Sequence, residues 1–217
     1  MANTAQSEIV ANSGAKGLLE VRDSGWSEVE EAELALEPTP LEKIPSAYVQ
    51  RSWASRNHGF VKSVNMAAAV VGDDLLVRLR WRAPDPKMNI TDINVYPDAC
   101  ALLFPLDSKD ADLGTMGSRQ QPACGWHWRA GADSAFVITA QGLGSVARVA
   151  DQGLEASAAW AGDEWHVLFR RPISDSHPAI TAGASVPVGV AVWTGTLEER
   201  AGLKSHSPQW HKLTASN

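Results

Sequence analysis

The sequence has little cysteine, and what it has excludes the common zinc sites. Only Cys100 and Cys124 are present, and their spacing matches no C-x-x-C motif. They are compatible with one disulfide or with two buried free thiols. Long apolar runs are also absent: the longest, residues 66–71, is far shorter than the ~18 to 20 residues that span a bilayer. We therefore expect no membrane association.

Positive charge is in deficit. The 19 Lys and Arg residues against 25 Asp and Glu residues give a formal net charge of -6, whereas binding to a phosphate backbone depends on a basic surface. Nucleic acid is not an expected partner. No basic segment followed by an apolar one opens the sequence, so we expect a soluble chain from which any export signal has been removed. The classical catalytic motifs G-x-S-x-G, H-E-x-x-H and the Walker loop are absent as well.

Tryptophan, in contrast, is abundant. Nine tryptophans stand against four phenylalanines and two tyrosines, which suits either a sandwich core or a site for a planar ligand. Hydrophobic residues make up 44% and charged residues 20% of the chain, a composition typical of a globular protein with a sizeable core. A chain of 217 residues is expected to form one domain.

The apolar pattern predicts β-strands throughout. In residues 75–81, apolar side chains alternate with arginines, and the turn at residues 72–74 joins this strand to residues 64–71 in a hairpin. Residues 154–170 form a second hairpin that turns at 161–163. With no long amphipathic helix, the pattern is typical of an all-β, antiparallel β-sandwich with short helices or irregular loops. Further predicted strands are residues 99–104, 125–129, 145–150 and 186–193.

The first residues of the chain differ in composition from the rest. Residues 1–18 are small and polar, and we expect them to be a flexible N-terminus. Residues 19–217 are expected to be a single β-sandwich domain, entered by an extended strand and a loop around Pro38, Pro40 and Pro45.

Four residues stand out as candidates for a ligand site. Met116 lies in a loop bracketed by glycines, and Lys204 lies in a loop after the last long strand. Trp126 and Trp128 share one face of a strand, so they are either two core tryptophans or a flat wall for a flat ligand. Taken alone, a loop methionine usually fills a gap and a loop lysine is usually a solvated charge.

The six histidines give a weaker signal. They are scattered along the chain, and His127 and His166 lie in strands where a structural or surface role is expected. His206 and His211 are five residues apart near the C-terminus, which makes them a weak candidate for a metal pair.

The ordered set of motifs resembles the haem-b-binding gamma subunit of the type II dimethyl sulfoxide reductase family. This group includes ethylbenzene dehydrogenase, dimethylsulfide dehydrogenase, and the chlorate and selenate reductases. The resemblance covers about residues 60–213 and rests on order and spacing, since each motif is weak alone. The motifs are residues 97–105, Met116-Gly117, residues 126–129, 163–171, 186–193, 199–205 and 210–213.

The resemblance implies a β-sandwich that binds one b haem non-covalently, with Met116 and Lys204 as the axial ligands and Trp126 and Trp128 as further cofactor-binding residues. It also implies a periplasmic heterotrimer with a molybdopterin catalytic subunit and an iron–sulfur subunit. The chain would relay electrons between the iron–sulfur subunit and a soluble cytochrome c, with a chlorate reductase-like complex favoured. By itself it would not be an enzyme, and the direction of electron flow stays open.

The chemistry of such a site is consistent with the sequence. Covalent haem attachment needs C-x-x-C-H, which is absent. A thioether ligand raises the reduction potential of haem iron. A lysine must bind as a neutral amine, and lowering its pKa from ~10.4 to ~7 costs about 4.6 kcal/mol. His206 and Lys212 are the rival ligands. With both axial positions filled by protein, no site remains open for substrate.

Two other functions are alternatives to haem binding. An acidic, aromatic-rich sandwich of this size also fits a carbohydrate-binding module. A hydrolase that uses Asp163 and Glu164 is disfavoured, because the two residues occupy a hairpin turn. If the chain binds haem, we expect apolar surface near the haem edge, where a partner subunit would dock.

Overall fold

The computed structural model describes residues 6–13, 20–90, 92–106, 111–150, 153–173, 179–181 and 183–216. These residues form fourteen β-strands, one α-helix and three 3-10 turns. The strands are β1 (Glu8–Ser13), β2 (Glu31–Ala35), β3 (Glu37–Pro38), β4 (Ser63–Val71), β5 (Asp74–Arg82), β6 (Ala99–Pro105), β7 (Ala123–Arg129), β8 (Phe136–Ala140), β9 (Val146–Val149), β10 (Glu155–Ala161), β11 (Glu164–Pro172), β12 (Ser185–Trp193), β13 (Ser205–His206) and β14 (His211–Ala215).

The strands form two packed sheets. In the first sheet the order is β10-β11-β5-β4, with β2 added beside β4. In the second sheet the order is β14-β12-β6-β7-β8-β9, with β13 added beside β12. All of these pairings are antiparallel. The predicted all-β sandwich and both predicted hairpins are therefore confirmed.

Strand β1 joins the two sheets at one side of the sandwich. Its first residues pair in parallel with β14, and Asn12 and Ser13 pair in parallel with β4. The sequence predicts a flexible N-terminus over residues 1–18, and for residues 8–13 this prediction is wrong. Ile9 and Ala11 alternate into the core, but a pattern of two apolar positions is too short to stand out. Residues 1–5 and 14–18 lie outside the described residues.

The core between the sheets is rich in tryptophan. The Trp128 ring lies 5.1 Å from that of Trp165 and 6.4 Å from that of Trp81, between centroids. Trp126 packs in the same way between Phe104 and Phe169. Burying each such side chain contributes roughly 1.5–3 kcal/mol to folding. The excess of tryptophan thus belongs largely to the sandwich core.

The helical segments are short. The α-helix, α1, comprises Ala47–Trp53 and begins at Ser46, whose hydroxyl accepts a hydrogen bond from the Val49 N–H at 3.3 Å. The 3-10 turns are Ser24–Glu28, Leu41–Lys43 and Gly195–Leu197. In the part of the chain that the structure describes, no helix is long and apolar enough to cross a membrane.

The two cysteines are separate thiols. Both are buried, on neighbouring strands β6 and β7. Cys100 is opposite Trp128, whereas Cys124 is opposite Phe104, so the cysteines are offset by four positions, or about 13 Å along the strands. A disulfide needs Cα atoms within about 7 Å. Of the two possibilities open in the sequence, the structure has two buried thiols that form no disulfide.

Candidate functional site

A cavity of about 410 Å³ lies against the outer face of the second sheet, a volume typical of small-molecule sites. Its position follows from small side chains. Ala99 and Ala101 on β6 and Ala191 on β12 alternate with core residues and therefore point outward. Of the three, Ala99 lines the cavity. Because alanine projects so little from the sheet, a larger residue at this position would fill part of the space.

The wall of the cavity is mostly apolar with a few charged groups. Met116, Ile138, Leu143 and Trp193 supply apolar surface, and Leu203 belongs to the same hydrophobic cluster as Met116, Ile138 and Leu143. The charged and polar side chains on the wall are His127, Arg129, Glu199 and Arg200.

Met116 is held in a strained backbone conformation. Its φ is +62°, in the left-handed region that costs a residue with a side chain roughly 1–2 kcal/mol. The loop is fixed by hydrogen bonds from Met116 N–H to the Leu113 carbonyl at 3.1 Å and from Gly117 N–H to the Asp112 carbonyl at 2.8 Å. The Asp112 carboxylate also accepts the Gly114 N–H at 2.8 Å and pairs with Lys43. Strain of this kind persists where the surrounding structure requires it, and it clusters at functional sites.

Gly189 allows this loop to lie close to the sheet. A Cβ built on Gly189 of β12 would collide with the Leu113 side chain, three residues before Met116. Leu113 is 7% exposed, so it has little room to move. The absence of a side chain at Gly189 therefore sets how closely the Met116 loop approaches the cavity.

Lys204 is, with Glu199, one of the two most deeply buried charged residues of the described chain, with 1% of its surface exposed. Among the described residues, its Nζ has no hydrogen-bond partner. Its Nζ lies 5.6 Å from the centroid of the Trp193 ring. Trp193 lines the cavity, whereas Lys204 itself does not. Burial lowers the pKa of the Lys204 ammonium to about 8. A buried amine without a partner is costly, which marks this lysine as more than a solvated loop charge.

The segment that carries Lys204 is strained too. Glu198 and Ala201 have φ values of +62° and +51°. The Trp193 indole N–H donates to the Ala201 carbonyl at 3.0 Å, and the Thr39 N–H donates to the Lys204 carbonyl at 3.1 Å. Of the four residues other than glycine with positive φ in the described chain, three lie in the Met116 loop or in this segment, and Asp163 lies in a hairpin turn.

Trp126 and Trp128 lie in the sandwich core and do not line the cavity. They are core tryptophans, the first of the two alternatives that the sequence left open, and the structure does not place them where a cofactor in this cavity would contact them. The expected cofactor-binding role is therefore wrong for this cavity, because their face of β7 packs into the sandwich. His127, between them, faces the cavity instead, with its ring stacked on Phe136 at 4.8 Å. Burial, together with Arg129 and Arg148, lowers the pKa of His127 to about 4, so this imidazole is neutral at pH 7.

The mouth of the cavity combines exposed apolar and basic side chains. Ile90 is 64% and Val146 is 49% exposed, although both line the cavity. Ile93, close to Ile90 in the chain, is 83% exposed. Arg129 and Arg200 are exposed at the same wall. Apolar exposure of this kind is typical of a surface that meets another molecule.

The rival residues lie elsewhere or are already engaged. Lys212 is on the surface in an ion pair with Glu8 at 2.8 Å. His206 is buried with its Nδ1 3.0 Å from the Glu37 carbonyl. His211 Nδ1 accepts the Ser7 N–H at 3.2 Å. No group of three metal-ligating His, Cys, Asp or Glu residues occurs among the residues described.

The proposed hydrolase residues are not arranged for catalysis. Asp163 lies in the turn of the β10–β11 hairpin, and Glu164 pairs with Arg80 at 2.9 Å.

A larger cavity, of about 600 Å³, lies beyond the 194–197 turn. Phe60, Trp81 and Leu197 are on its wall, but neither Met116 nor Trp193 is.

His127, Arg129, Glu199 and Arg200 are the residues of this site that the sequence analysis did not assign to it. A signal for the first two exists in the alternation along β7. If the bulky tryptophans fill the core, His127 and Arg129 must face outward. For Glu199 and Arg200 there is no comparable pattern, because an irregular segment brings them to the cavity.

Comparison with known proteins identifies several related chains. The family model described as ethylbenzene dehydrogenase matches residues 23–156, more than half of the chain. The chlorate reductase subunit gamma of Ideonella dechloratans is 29% identical over 180 residues, which cover 79% of this chain and 75% of that protein. A candidate haem subunit of a respiratory nitrate reductase from Haloferax mediterranei is 25% identical over 175 residues, 79% of this chain and 63% of its own length.

One further relative and one solved structure are similar to this chain. The dimethylsulfide dehydrogenase subunit gamma of Rhodovulum sulfidophilum is 28% identical over 143 residues, 62% of this chain and 53% of that protein. The chain therefore spans less than two thirds of the length of the nitrate reductase haem subunit and of this dimethylsulfide dehydrogenase subunit. The structure is also similar to that of a candidate carbohydrate-binding protein from Bacteroides uniformis, with a TM-score of 0.55, 8% identity, and 98% and 100% of the two chains covered. At this identity the likeness concerns the fold alone.

Proposed function

The chain belongs to the ethylbenzene dehydrogenase family, as its motif order predicts, and on that premise we propose that it is a haem b electron-transfer subunit of an oxidoreductase complex. One observation carries the proposal. Met116, whose backbone is strained, lines the cavity, and the buried amine of Lys204, which has no partner among the described residues, lies 5.6 Å from the ring of Trp193 in the cavity wall. Two relatives, one a gamma subunit and one a candidate haem subunit, support it.

The residues at the cavity fit a planar cofactor with two axial ligands. Ala99 projects little into the cavity, which leaves space for a flat group, and Met116 and Lys204 would hold its iron through a thioether and a neutral amine. A non-covalent b haem is consistent with the lack of C-x-x-C-H. When bound, it supplies a one-electron Fe(III)/Fe(II) couple whose potential the methionine raises.

Burial prepares Lys204 for this role. With a pKa of about 8, losing the proton at pH 7 costs about 1.4 kcal/mol, against about 4.6 kcal/mol for an exposed lysine. Folding has therefore already met most of the cost of deprotonation, because it excludes water from the ammonium group. An amine in this state is available to a metal at neutral pH.

Arg129 and Arg200 would receive the acidic edge of the cofactor. Haem b carries two carboxylates, and these two arginines are exposed at the cavity wall. Charge-assisted hydrogen bonds between guanidinium and carboxylate groups are about twice as strong as neutral ones. The polar edge of the haem would then lie at the mouth and its apolar part against Ile138, Leu143 and Trp193.

This arrangement supports a relay and not a catalyst. With Met116 and Lys204 on the iron, no coordination position is left for a substrate. We infer that the chain is the non-catalytic member of a periplasmic heterotrimer with a molybdopterin catalytic subunit and an iron–sulfur subunit. It would exchange electrons with a soluble cytochrome c. A chlorate reductase-like complex is favoured by the relative at 29% identity, and electrons would then flow inward from the cytochrome.

The exposed apolar residues at the mouth support a docking role for that surface. Ile90, Ile93 and Val146 would lie at an interface in the complex, near the cofactor edge. Short distances to the next redox group favour rapid electron transfer, so a partner is expected on this side.

Haem titration of the purified chain tests the proposal. Addition of haem b should produce a Soret band with a six-coordinate, low-spin spectrum at one haem per chain. Lys204→Ala should remove the low-spin spectrum, whereas Lys212→Ala and His206→Ala should retain it. A normal spectrum for Lys204→Ala would refute that ligand. A protein that stays colourless but changes its tryptophan fluorescence with sugars would instead support the carbohydrate-binding module.

A further inference from the structure

Glu199 is a buried carboxylate that the proposed ligation does not use. It is 1% exposed and lies in the wall of the cavity. Its Oε1 accepts the N–H groups of Gly59 at 2.5 Å and Phe60 at 3.1 Å, and its Oε2 accepts the Thr194 N–H at 2.8 Å. Phe60 and Thr194 line the larger cavity, so this carboxylate occupies the partition between the two cavities.

The hydrogen bonds favour the ionised form of Glu199. The pKa of the Glu199 carboxyl is nevertheless raised, because burial outweighs the three N–H donors and His58, which lower it. A protonated carboxyl would need an acceptor for its own O–H, while here both oxygens already face donors. The group therefore carries a negative charge that is held by backbone dipoles.

No cationic side chain neutralises this charge at close range. Within the described ranges, Glu199 forms no ion pair with any Lys, Arg or His. His58 is the titratable group that acts on it electrostatically. Arg200, the next residue, lies over the Tyr96 ring at 4.7 Å. Lys204 bears no charge when it ligates a metal.

We propose that the buried charge of Glu199 lowers the reduction potential of the haem in the cavity, opposing the rise caused by the methionine ligand. The inference rests on the proposed function. Oxidised haem carries one more positive charge than reduced haem, so a fixed negative charge nearby stabilises the Fe(III) state. Because the Glu199 carboxylate is buried, the interaction is screened less than at a surface.

Asp98 provides a matched control. It is 2% exposed, and it also accepts three N–H groups, those of Lys87 at 3.0 Å and of Gly195 and the Trp165 indole at 2.8 Å. Its carboxylate lies on the wall of the larger cavity and not on that of the haem cavity. Asp98→Asn therefore repeats the local loss of hydrogen bonding without removing a charge from the haem cavity.

The experiment is a potentiometric titration of the full haem-loaded chain as wild type, Glu199→Gln and Asp98→Asn. We expect Glu199→Gln to raise the midpoint potential, by a shift equivalent to roughly fivefold in the Fe(III)/Fe(II) equilibrium constant, with an unchanged low-spin spectrum. Asp98→Asn should shift it clearly less. Equal shifts in the two variants, or no shift in Glu199→Gln, would overturn the inference while leaving haem binding intact. Failure of every form to bind haem would instead refute the proposed function.

A conservative variant covers the case in which Glu199→Gln does not fold. Glu199→Asp keeps the charge but withdraws it from the N–H donors. We expect a loss of thermal stability with a potential close to that of the wild type. A rise in potential in Glu199→Asp would contradict a role based on charge.

Discussion

The two faces of strand β7 have opposite characters. On the inner face, Trp126 and Trp128 are 0% and 4% exposed and pack against other aromatic rings of the core. On the outer face, His127 and Arg129 border a cavity. Successive residues of one strand therefore serve different purposes: the inner set supplies the free energy of folding, and the outer set supplies the site. Substitutions on the two faces should separate stability from cofactor binding.

The elements packed on the outer face have energetically unfavourable features of their own. Met116 and Ala201 have left-handed backbone conformations, and Lys204 keeps a buried amine without a hydrogen-bond partner among the residues described. Such features lower stability and persist when they serve function. The comparison predicts that removing them harms ligand binding more than folding.

The largest effect is expected on the inner face. Trp126→Ala should cost about 3–5 kcal/mol of unfolding free energy, since it leaves a large cavity beside Phe104 and Phe169. Trp160→Ala is the matched control, because that side chain is 38% exposed. Urea denaturation measures both. The comparison fails if the two variants lose the same stability.

Two methionines allow a crossed test of the faces. Met66 is 0% exposed in the core, whereas Met116 is 6% exposed at the cavity. Met66→Ala should cost about 2–5 kcal/mol and keep the low-spin haem spectrum. Met116→Ala should cost less and lose that spectrum or lower the potential markedly. An unchanged spectrum and potential in Met116→Ala would disprove its assignment as a ligand.

The pH dependence of the haem-free chain reports on Lys204. Its pKa is about 8 in the folded chain and 10.5 when exposed, so the unfolded chain binds more protons between these values. Stability should therefore rise from about pH 8 to pH 10.5, by up to roughly 3 kcal/mol. Lys204→Met should flatten this rise and stabilise the chain at pH 7, while Lys212→Met should preserve it. Denaturation at several pH values tests this, and an equal rise in Lys204→Met would contradict it.

The smallest effect on stability is expected at the mouth of the cavity. Ile90→Glu and Ile93→Glu should change unfolding by no more than about 0.5 kcal/mol, as exposed positions do, yet weaken assembly with partner subunits. Tyr48→Glu, on α1 and 75% exposed, is the control at a distance. Co-purification of the complex measures the effect. Normal assembly of both isoleucine variants would remove the docking role from this surface.

Much of the fold was predictable because alternation and turns are local. The β4–β5 and β10–β11 hairpins follow directly from apolar periodicity and from the turns at Gly72 and Gly162. Strand β1 was missed, because its six residues gain their structure from parallel partners distant in the sequence. Strands β8 and β14 have only five residues each. They were missed because so short a run shows little periodicity.

The candidate site was predictable only in part. Met116 and Lys204 were identified through the resemblance, and they remain proposed ligands. Trp126 and Trp128 were assigned to the cofactor because the sequence does not tell which face of a strand is the core. Glu199 reaches the cavity through an irregular segment, which no periodicity predicts.

The absorption spectrum of the purified chain in its oxidised and dithionite-reduced states tests the central claim most directly. We expect a six-coordinate, low-spin haem b in both states, since Met116 and Lys204 would both ligate the iron. A five-coordinate, high-spin spectrum, or a colourless protein that takes up no haem, would contradict it.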